Sequence, residues 1–375
     1  MGRKILIPYL MAGLGHYIQA QAIAHYLTRM QPDWDVRLFE PARELPDQAM
    51  QRTFIDLWRV VLGLPAFMQE ALFAMERIAP KAARAANRSR YRQAVPRAAA
   101  FLERENPDLI VSTHWACTNL FAMARGERGI PLFYVYGELE ETYSIAECGA
   151  DRYFTLSEKV SRDLARMGVG PAAIQQIPAI VDPAMVSNDT PREILRRGLG
   201  IPADHLAVML SFGGEGIGRS LPFIRAFARE ARGATLIALT GRNTRLLEDI
   251  RRAVQTPAVI PLGFQEDLSG VVASADVLAG KSGTGYVSLA LATGKPLIVT
   301  HLGAPNEAGN MRHVVARGRG WHCPSPRTFV QKVNELASEH GKAMAGGAPR
   351  AGQAGCPRPR NGAEDIARAV VEALA

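Results

Sequence analysis

Apolar residues in this chain gather into short unbroken runs, separated by longer stretches with helical spacing. Lys4 to Tyr9, Val36 to Phe39, Asp108 to Ser112, Pro131 to Val135 and Arg152 to Thr155 are strand-length and bounded by turn residues, which predicts strands. After the first run come a turn at Gly13 and Gly15 and a helical pattern from about His16 to Met30, and a long helical region follows the second run. A second cycle begins near Ala207 with Val208-Met209-Leu210-Ser211-Phe212, a glycine-rich turn and a helix from Ser220 to Ala231. Strands at Thr235 to Leu239, Ala258 to Pro261, Val277 to Ala279 and Leu297 to Thr300 then alternate with helices around Arg245 to Val254, Leu268 to Ser274 and Gly285 to Ala292. Alternation of this kind predicts the α/β class, with mostly parallel sheets covered by helices on both faces.

Two such cycles mean two doubly wound domains. Prolines and polar residues interrupt both periodicities between Ile177-Pro178 and Pro191, which sets the expected domains at 1–183 and 184–345. Residues 346–375 are expected to be a flexible connection and a last helix, because Gly341 to Gly362 is rich in Gly, Ala, Pro and Arg. In that helix Ile366, Val370 and Leu374 recur every four residues, so it must dock, and the domain junction is the expected place.

Composition agrees with two globular domains: 375 residues, 47% hydrophobic and 21% charged. Lys and Arg exceed Asp and Glu by 44 to 36, and part of the excess is local. From Arg77 to Leu102 there is no acid, while Arg77, Lys81, Arg84, Arg88, Arg90, Arg92 and Arg97 supply positive charge that would attract phosphate-rich partners. Cys117, Cys148, Cys323 and Cys356 are far apart and form no CxxC pair, which argues against a disulfide framework or structural zinc and for a reducing cytoplasm. No apolar run approaches the roughly 18 residues of a spanning helix, so membrane association is expected to be peripheral. Met1 to Ala22 imitates a secretory signal, with Ala20-Gln21-Ala22 as its cleavage site, but the helical pattern runs straight through that site.

In open parallel sheets ligands bind beyond the carboxyl ends of strands, where the turns at Gly13 and Gly213 both fall. The turn Gly213-Gly214-Glu215-Gly216-Ile217-Gly218 offers backbone N–H groups at a helix N-terminus, which suits a diphosphate. Taken alone, those glycines equally suit a tight strand-to-helix turn. The spacing is not GxGxxG, so no nicotinamide cofactor is indicated, and Ala275 stands where a phosphate loop ending in Gly280-Lys281-Ser282 needs glycine.

The ordered segments Ser211 to Gly218, Thr240 to Asn243, Leu262 to Phe264, Ala275 to Gly285 and Asn306 to Asn310 together resemble the monogalactosyldiacylglycerol synthase type of lipid glycosyltransferase. Gly13 to His16, Thr113-His114 and Val135 to Leu139 extend the resemblance into the first half, where it is thinner. It implies a GT-B fold, two Rossmann-like domains facing across a cleft, with the nucleotide sugar on the second and the acceptor on the first. It also implies an inverting transfer without a bound metal or other cofactor, the UDP-sugar being a co-substrate.

Carried over residue by residue, the resemblance makes His16 the base or the group that orients the acceptor. A neutral imidazole suits that task at pH 7, while a capping or packing role is the plainer alternative. Glu138 is the rival base, and Gly13 and Gly15 form the first glycine turn. The donor is expected at Gly213, Gly214, Glu215, Gly216 and Gly218 for the diphosphate, with Arg242 and Asn243 nearby and Gly263 and Phe264 at the base. Ser282, Gly283, Thr284 and Gly285 form a second phosphate turn, and Asn306, Glu307 and Asn310 face the sugar hydroxyls. For Phe264 ordinary core packing is the alternative.

This chain departs from the family pattern at several positions. Leu289 stands where relatives carry the glutamate that grips the ribose hydroxyls, Asn306 replaces a glutamine, and Met11 and Leu14 replace aspartate and glycine. These changes leave the nucleotide and hexose open. Asp33-Trp34-Asp35 imitates a DxD metal motif but lies between the first helix and the second strand, and the histidines do not cluster with acids, so no metal is expected.

Phe54, Leu57, Trp58, Val61, Leu62, Leu64, Phe67, Met68, Leu72 and Met75 recur at largely helical spacing just before the basic span. Apolar side chains beside arginines fit an anionic membrane surface, although such a stripe also fits a core. Nucleic acid is not expected, since between Arg77 and Arg97 only Tyr91 interleaves an aromatic ring with the basic residues. The sequence therefore predicts a cytoplasmic transferase at the inner face of the membrane, moving a hexose from a UDP-sugar to a diacylglycerol-like lipid. The alternatives are a GT-B transferase acting on a soluble acceptor and a non-catalytic nucleotide-sugar-binding protein.

Overall fold

A computed structural model of the chain describes residues 2–11, 14–45, 51–56, 60–61, 64–65, 68–69, 71–72, 74, 78–140, 143, 148–213, 220–302, 307–345 and 360–375. The chain divides into two compact units. The first comprises Met1–Val181, Ala304–Asn310 and Arg360–Ala375, and the second Asp182–Gly303 and Met311–Pro359.

In the first unit the apolar runs form six parallel strands, β1 (Lys4–Pro8), β2 (Asp35–Phe39), β3 (Leu109–Ser112), β4 (Leu132–Tyr136), β5 (Arg152–Thr155) and β6 (Ile174–Gln176), in the order β2-β1-β3-β4-β5-β6. Strands β3 and β4 are buried along their whole length, as continuous apolar runs require in a sheet covered on both faces. The helix Leu14–Met30 follows β1, and Trp115–Ala124 follows β3. Because strand order reverses between β1 and β3, the segments leaving these two strands flank the sheet's topological switch point, where doubly wound folds bind ligands.

The terminal helix Gly362–Ala373 packs on Leu14–Met30 and belongs to the first unit, not to a junction between domains. Asn361 fixes its start: its Nδ2 donates to the Val181 carbonyl at 2.8 Å and its Oδ1 accepts from the Ala363 N–H at 3.1 Å. Gly362 permits the approach, since a Cβ there would lie 2.3 Å from the Pro178 carbonyl oxygen.

The second unit has β7 (Leu206–Ser211), β8 (Ala234–Leu239), β9 (Val259–Leu262), β10 (Val277–Lys281), β11 (Leu297–His301) and β12 (Gly320–His322), parallel and in the order β12-β11-β10-β7-β8-β9. Read from β7, this is the strand order of dinucleotide-binding folds, with its switch point between β7 and β10. Phe223, Phe227 and Phe329 pack the helices Ser220–Glu230 and Pro326–Ala345 against the sheet. At the opposite, amino end of the strands, Asp276 accepts from the guanidinium groups of Arg192 and the buried Arg196 and, at 2.8 Å, from the Ala207 N–H. Lys295 adds a third cation and is pushed down to about 8 by burial and by Arg192.

Strand and helix ends otherwise differ from expectation by one or two residues. Strands β6 and β12 and the helices Trp115–Ala124, Glu158–Arg166, Arg192–Leu199, Glu307–Ala316 and Pro326–Ala345 have no counterpart among the predicted elements.

Candidate functional site

The first unit assembles a histidine pair at its switch point. His16 lies in the first turn of Leu14–Met30, and His114 follows β3. The His16 Nδ1 lies 2.6 Å from the Thr113 carbonyl oxygen. A carbonyl only accepts, so Nδ1 must carry the proton, and in the neutral ring Nε2 holds the lone pair. The Thr113 hydroxyl returns a bond to the His16 carbonyl at 3.0 Å, and the Thr113 N–H donates to Pro8 at the end of β1 at 3.2 Å. Burial pushes His16 below the usual imidazole value, against the opposing pull of the Thr113 carbonyl. His16 is therefore neutral and basic at Nε2 at pH 7.

The His114 ring meets His16 edge-on, with centroids 4.5 Å apart at 75°. Its Nδ1 accepts from the Ala116 N–H at 3.1 Å, capping Trp115–Ala124, so its own proton sits on Nε2. Burial, and then the neighbouring His16, hold His114 well below the ordinary value. The Thr113-His114 pair after a strand was visible in the sequence, but nothing there showed that it reaches a residue 97 positions away. Gln19, one turn beyond His16, buries a side-chain oxygen with no hydrogen-bond partner among the described residues.

Glu138 stands after β4, and its Oε2 accepts from the Asn310 Nδ2 at 3.1 Å. The Asn310 Oδ1 accepts from the Leu139 N–H at 3.2 Å, and Asn310 is fully buried. The sequence reading set Asn310 and Glu307 with the donor-binding domain. The structure groups both with the first unit, and Asn310 orients Glu138 there. Gly15 lies in the first turn of Leu14–Met30, whereas Gly13 is outside the described residues.

In the second unit the switch point brings together the ends of β7 and β10. Gly213 directly follows Phe212 with φ +81°, a conformation glycine tolerates, and a Cβ there would lie 3.9 Å from the Lys281 side chain. Lys281 is a cation at this turn that motif reasoning dismissed with the failed phosphate loop. Gly280 is forced to be glycine: its φ is +152° and a Cβ would fall 2.1 Å from the Ser211 carbonyl oxygen. The β10–β11 register shifts between Gly280 and Lys281. Ser282 is buried, and Gly283 caps the helix Thr284–Thr293, which includes Thr284 and Gly285. Ser220, at the start of Ser220–Glu230, has a buried hydroxyl without a hydrogen-bond partner among the described residues. Gly214, Glu215, Gly216, Gly218 and Asn306 are outside the described residues.

Further along the same carboxyl edge, the Arg242 guanidinium lies over the Phe264 ring, 4.3 Å from its centroid. Phe264 is 45% exposed, so ordinary core packing does not account for it. Gly263 sits 3.4 Å from Leu247 by its notional Cβ, and Asn243 accepts from the Leu246 N–H at 2.9 Å as cap of Thr244–Ala253. Leu289 is buried in Thr284–Thr293.

The apolar stripe before the basic span is divided. Phe54 is core, stacked 4.9 Å from Tyr91, so it is not part of an exposed face. Met68, Leu72 and Ile78 are exposed, Ile78 by 81%. Leu57, Trp58, Leu62, Phe67 and Met75 are outside the described residues. Among the described residues no helix is long and apolar enough to cross a membrane.

Two Rossmann-like units with these strand orders define the GT-B class of fold. MurG from Acinetobacter baumannii superposes with a TM-score of 0.61 at 13% identity, covering 99% of each chain. HepE from Anabaena, in complex with UDP and glucose, gives 0.54 at 16% identity, also over 99% of each chain. Residues 16–177 match the family model described as monogalactosyldiacylglycerol (MGDG) synthase, so the resemblance drawn from the motifs holds. The match falls on the first unit, where the motifs had been thinner. The chain is 25% identical over 246 residues to the chloroplastic monogalactosyldiacylglycerol synthase of Spinacia oleracea, covering 62% of this chain and 47% of that one. It is 27% identical over 245 residues to synthase 1 of Arabidopsis thaliana, covering 62% and 46%. It thus spans about half the length of the curated relatives it matches.

Proposed function

We propose that the chain is an inverting glycosyltransferase that moves a hexose from a UDP-sugar to a diacylglycerol-like lipid, without a bound metal. The observation that carries this reading is the state of His16. Its Nδ1 proton is committed to the Thr113 carbonyl, which leaves a neutral Nε2 lone pair at the switch point of the unit that matches the MGDG synthase family. In the proposed reaction Nε2 takes the proton of the acceptor hydroxyl as that oxygen attacks the anomeric carbon. The bond from that carbon to the diphosphate breaks, and UDP leaves with the electron pair. Glu138, held by Asn310, orients the acceptor or stands as the alternative base.

The second unit suits the donor. Lys281 and the Ser220 hydroxyl, which has no hydrogen-bond partner among the described residues, offer positive charge and a donor to a diphosphate beside the Gly213 turn. Phe264, under Arg242, offers an exposed ring on which a nucleobase can stack. Leu289 is apolar and buried, so its position supplies no carboxylate to the ribose hydroxyls.

A lipid acceptor requires access to a membrane. Exposed Met68, Leu72 and Ile78 lie just before the helix Pro80–Ser89, which carries Lys81, Arg84 and Arg88. Apolar and basic side chains adjacent in this way support peripheral binding to anionic lipid at the inner membrane face.

The reading is tested by ligand-induced thermal shifts with UDP, dTDP, GDP and their hexose derivatives, followed by transfer assays with the hits. A shift by UDP-sugars with transfer to diacylglycerol that EDTA does not abolish supports it. Donor binding without turnover on any acceptor would leave a binding protein instead.

A further inference from the structure

Resting on the reading of His16 as the base, we propose that His114 is a positioning residue which, with the Thr113 carbonyl, holds the His16 imidazole in a single tautomer and orientation. The two halves of the clamp come from one turn. The Thr113 carbonyl takes the Nδ1 proton at 2.6 Å, and the His114 ring closes on the His16 ring at 4.5 Å.

That turn is itself immobilised. The Ser112 hydroxyl donates to the His114 carbonyl at 3.1 Å, and the Thr118 hydroxyl lies 2.8 Å from the Ser112 Oγ and 3.0 Å from the same carbonyl. On its far side the His114 ring stacks on Trp115, with centroids 5.4 Å apart at 30°. His114 is 5% exposed, so its ring cannot swing out without opening the core. The two imidazoles hold their protons on opposite nitrogens: Nδ1 of His16 and Nε2 of His114.

An apolar residue at this position would pack as well, so the helix cap gives the histidine its second task. The cap to Ala116 keeps His114 Nδ1 unprotonated and fixes the ring plane that His16 packs against. A base whose ring is held in this way loses little motion on reaching the reactive geometry, and misplacement by about 1 Å can cost roughly a hundredfold in rate. The titratable groups on neighbouring elements are Cys117 after His114, Tyr17 on the His16 helix, Tyr9 after β1 with its ring 5.1 Å from Tyr17, and Glu40 after β2. Glu40 acts on Tyr9 and Cys117, while His16 responds to burial and to Thr113.

Two variants separate the ring from the cap. His114→Asn keeps a good capping side chain and removes the ring, whereas His114→Phe keeps a ring against His16 and Trp115 and removes the cap. The full-length chain is labelled with 15N-histidine, the His16 signals are assigned with His16→Gln, and the tautomer and titration of His16 are read by NMR. The expected result for His114→Asn is a Tm lowered by the loss of the buried ring, a His16 titration moved up towards the ordinary imidazole value, and mixed tautomers. In the transfer assay kcat should fall about 10- to 100-fold with KM for the donor unchanged. His114→Phe should restore much of kcat at a lower Tm. A His16 titration, tautomer and kcat unchanged in His114→Asn would overturn the proposal. The NMR readout needs no turnover: a chain without transferase activity but with the His16 shift would refute the function and leave the clamp standing.

Discussion

Truncating Phe264 to alanine separates a nucleobase platform from a packing residue. The ring is 45% exposed and carries the Arg242 guanidinium 4.3 Å from its centroid. Full burial of a phenylalanine is worth about 1.5–3 kcal/mol, so a ring with roughly half its surface buried places about 1 kcal/mol of folding stability at risk. Loss of an exposed cation–π contact adds about 0.5–1 kcal/mol. Together these lower Tm by about 3–8 °C, at roughly 2–4 °C per kcal/mol for a unit of this size. Stacking of a base on an aromatic side chain is worth about 1–3 kcal/mol, so the Kd for UDP should rise about 5- to 140-fold. Isothermal titration calorimetry with UDP, run beside thermal melts of the free protein, measures both. Phe264→Leu should keep most of the stability while losing most of the affinity. An unchanged Kd in Phe264→Ala would refute the platform, as would a loss of affinity fully explained by unfolding.

Other consequences follow from the same geometry. Asp276→Asn leaves Arg192, Arg196 and Lys295 clustered without a carboxylate, and removing one partner of a buried ion pair costs about 3–5 kcal/mol, so the second unit should melt at least several degrees earlier by calorimetry. Gly280→Ala drives a Cβ onto the Ser211 carbonyl, so it should cost about 1–3 kcal/mol from backbone strain alone and weaken nucleotide binding at the β7–β10 edge. For pH, His16 and His114 both titrate lower in the folded chain than an unperturbed imidazole does, so the unfolded chain binds more protons below about pH 6.5. Stability is therefore full above that pH and falls as pH drops below it. Thermal melts from pH 7.5 to 5 should show the loss, and His114→Asn should lessen it. The acid limb of kcat/KM should likewise lie below the ordinary imidazole value.

Much of this fold was legible because its strands are fully buried. Val208-Met209-Leu210 and Leu109-Ile110-Val111 are continuous apolar runs, and only a sheet covered on both faces uses them. The edge strands were not legible. Ile174–Gln176 is mostly polar and Gly320–His322 only three residues long, so neither stands out from a loop until a neighbouring strand pairs with it. The terminal helix announced itself by its four-residue period, but its partner was hidden, since Gly362 and Pro178 meet across a long sequence separation.

The candidate site divides in the same way. Turn chemistry exposed Gly213 and Gly283, because glycine at a strand end or helix cap has a local cause. The clamp on His16 and the Asn310–Glu138 bond join residues 97 and 172 positions apart, and no local pattern encodes either. The carboxamide of Asn310 bonds to Glu138 and to the Leu139 N–H, contacts that its own motif does not encode.

The central claim is that this chain joins a hexose to a lipid hydroxyl with His16 as base. The most direct measurement is mass spectrometry of lipids extracted after incubating the protein with UDP-galactose or UDP-glucose and diacylglycerol in anionic vesicles, beside His16→Ala with its fold checked by melting. The account predicts a monohexosyl diacylglycerol formed by the wild-type chain and lost in the variant, its anomeric configuration, read by proton NMR, inverted relative to the donor. Equal product from His16→Ala, or no glycolipid from the wild-type chain while UDP-sugars bind, would contradict it.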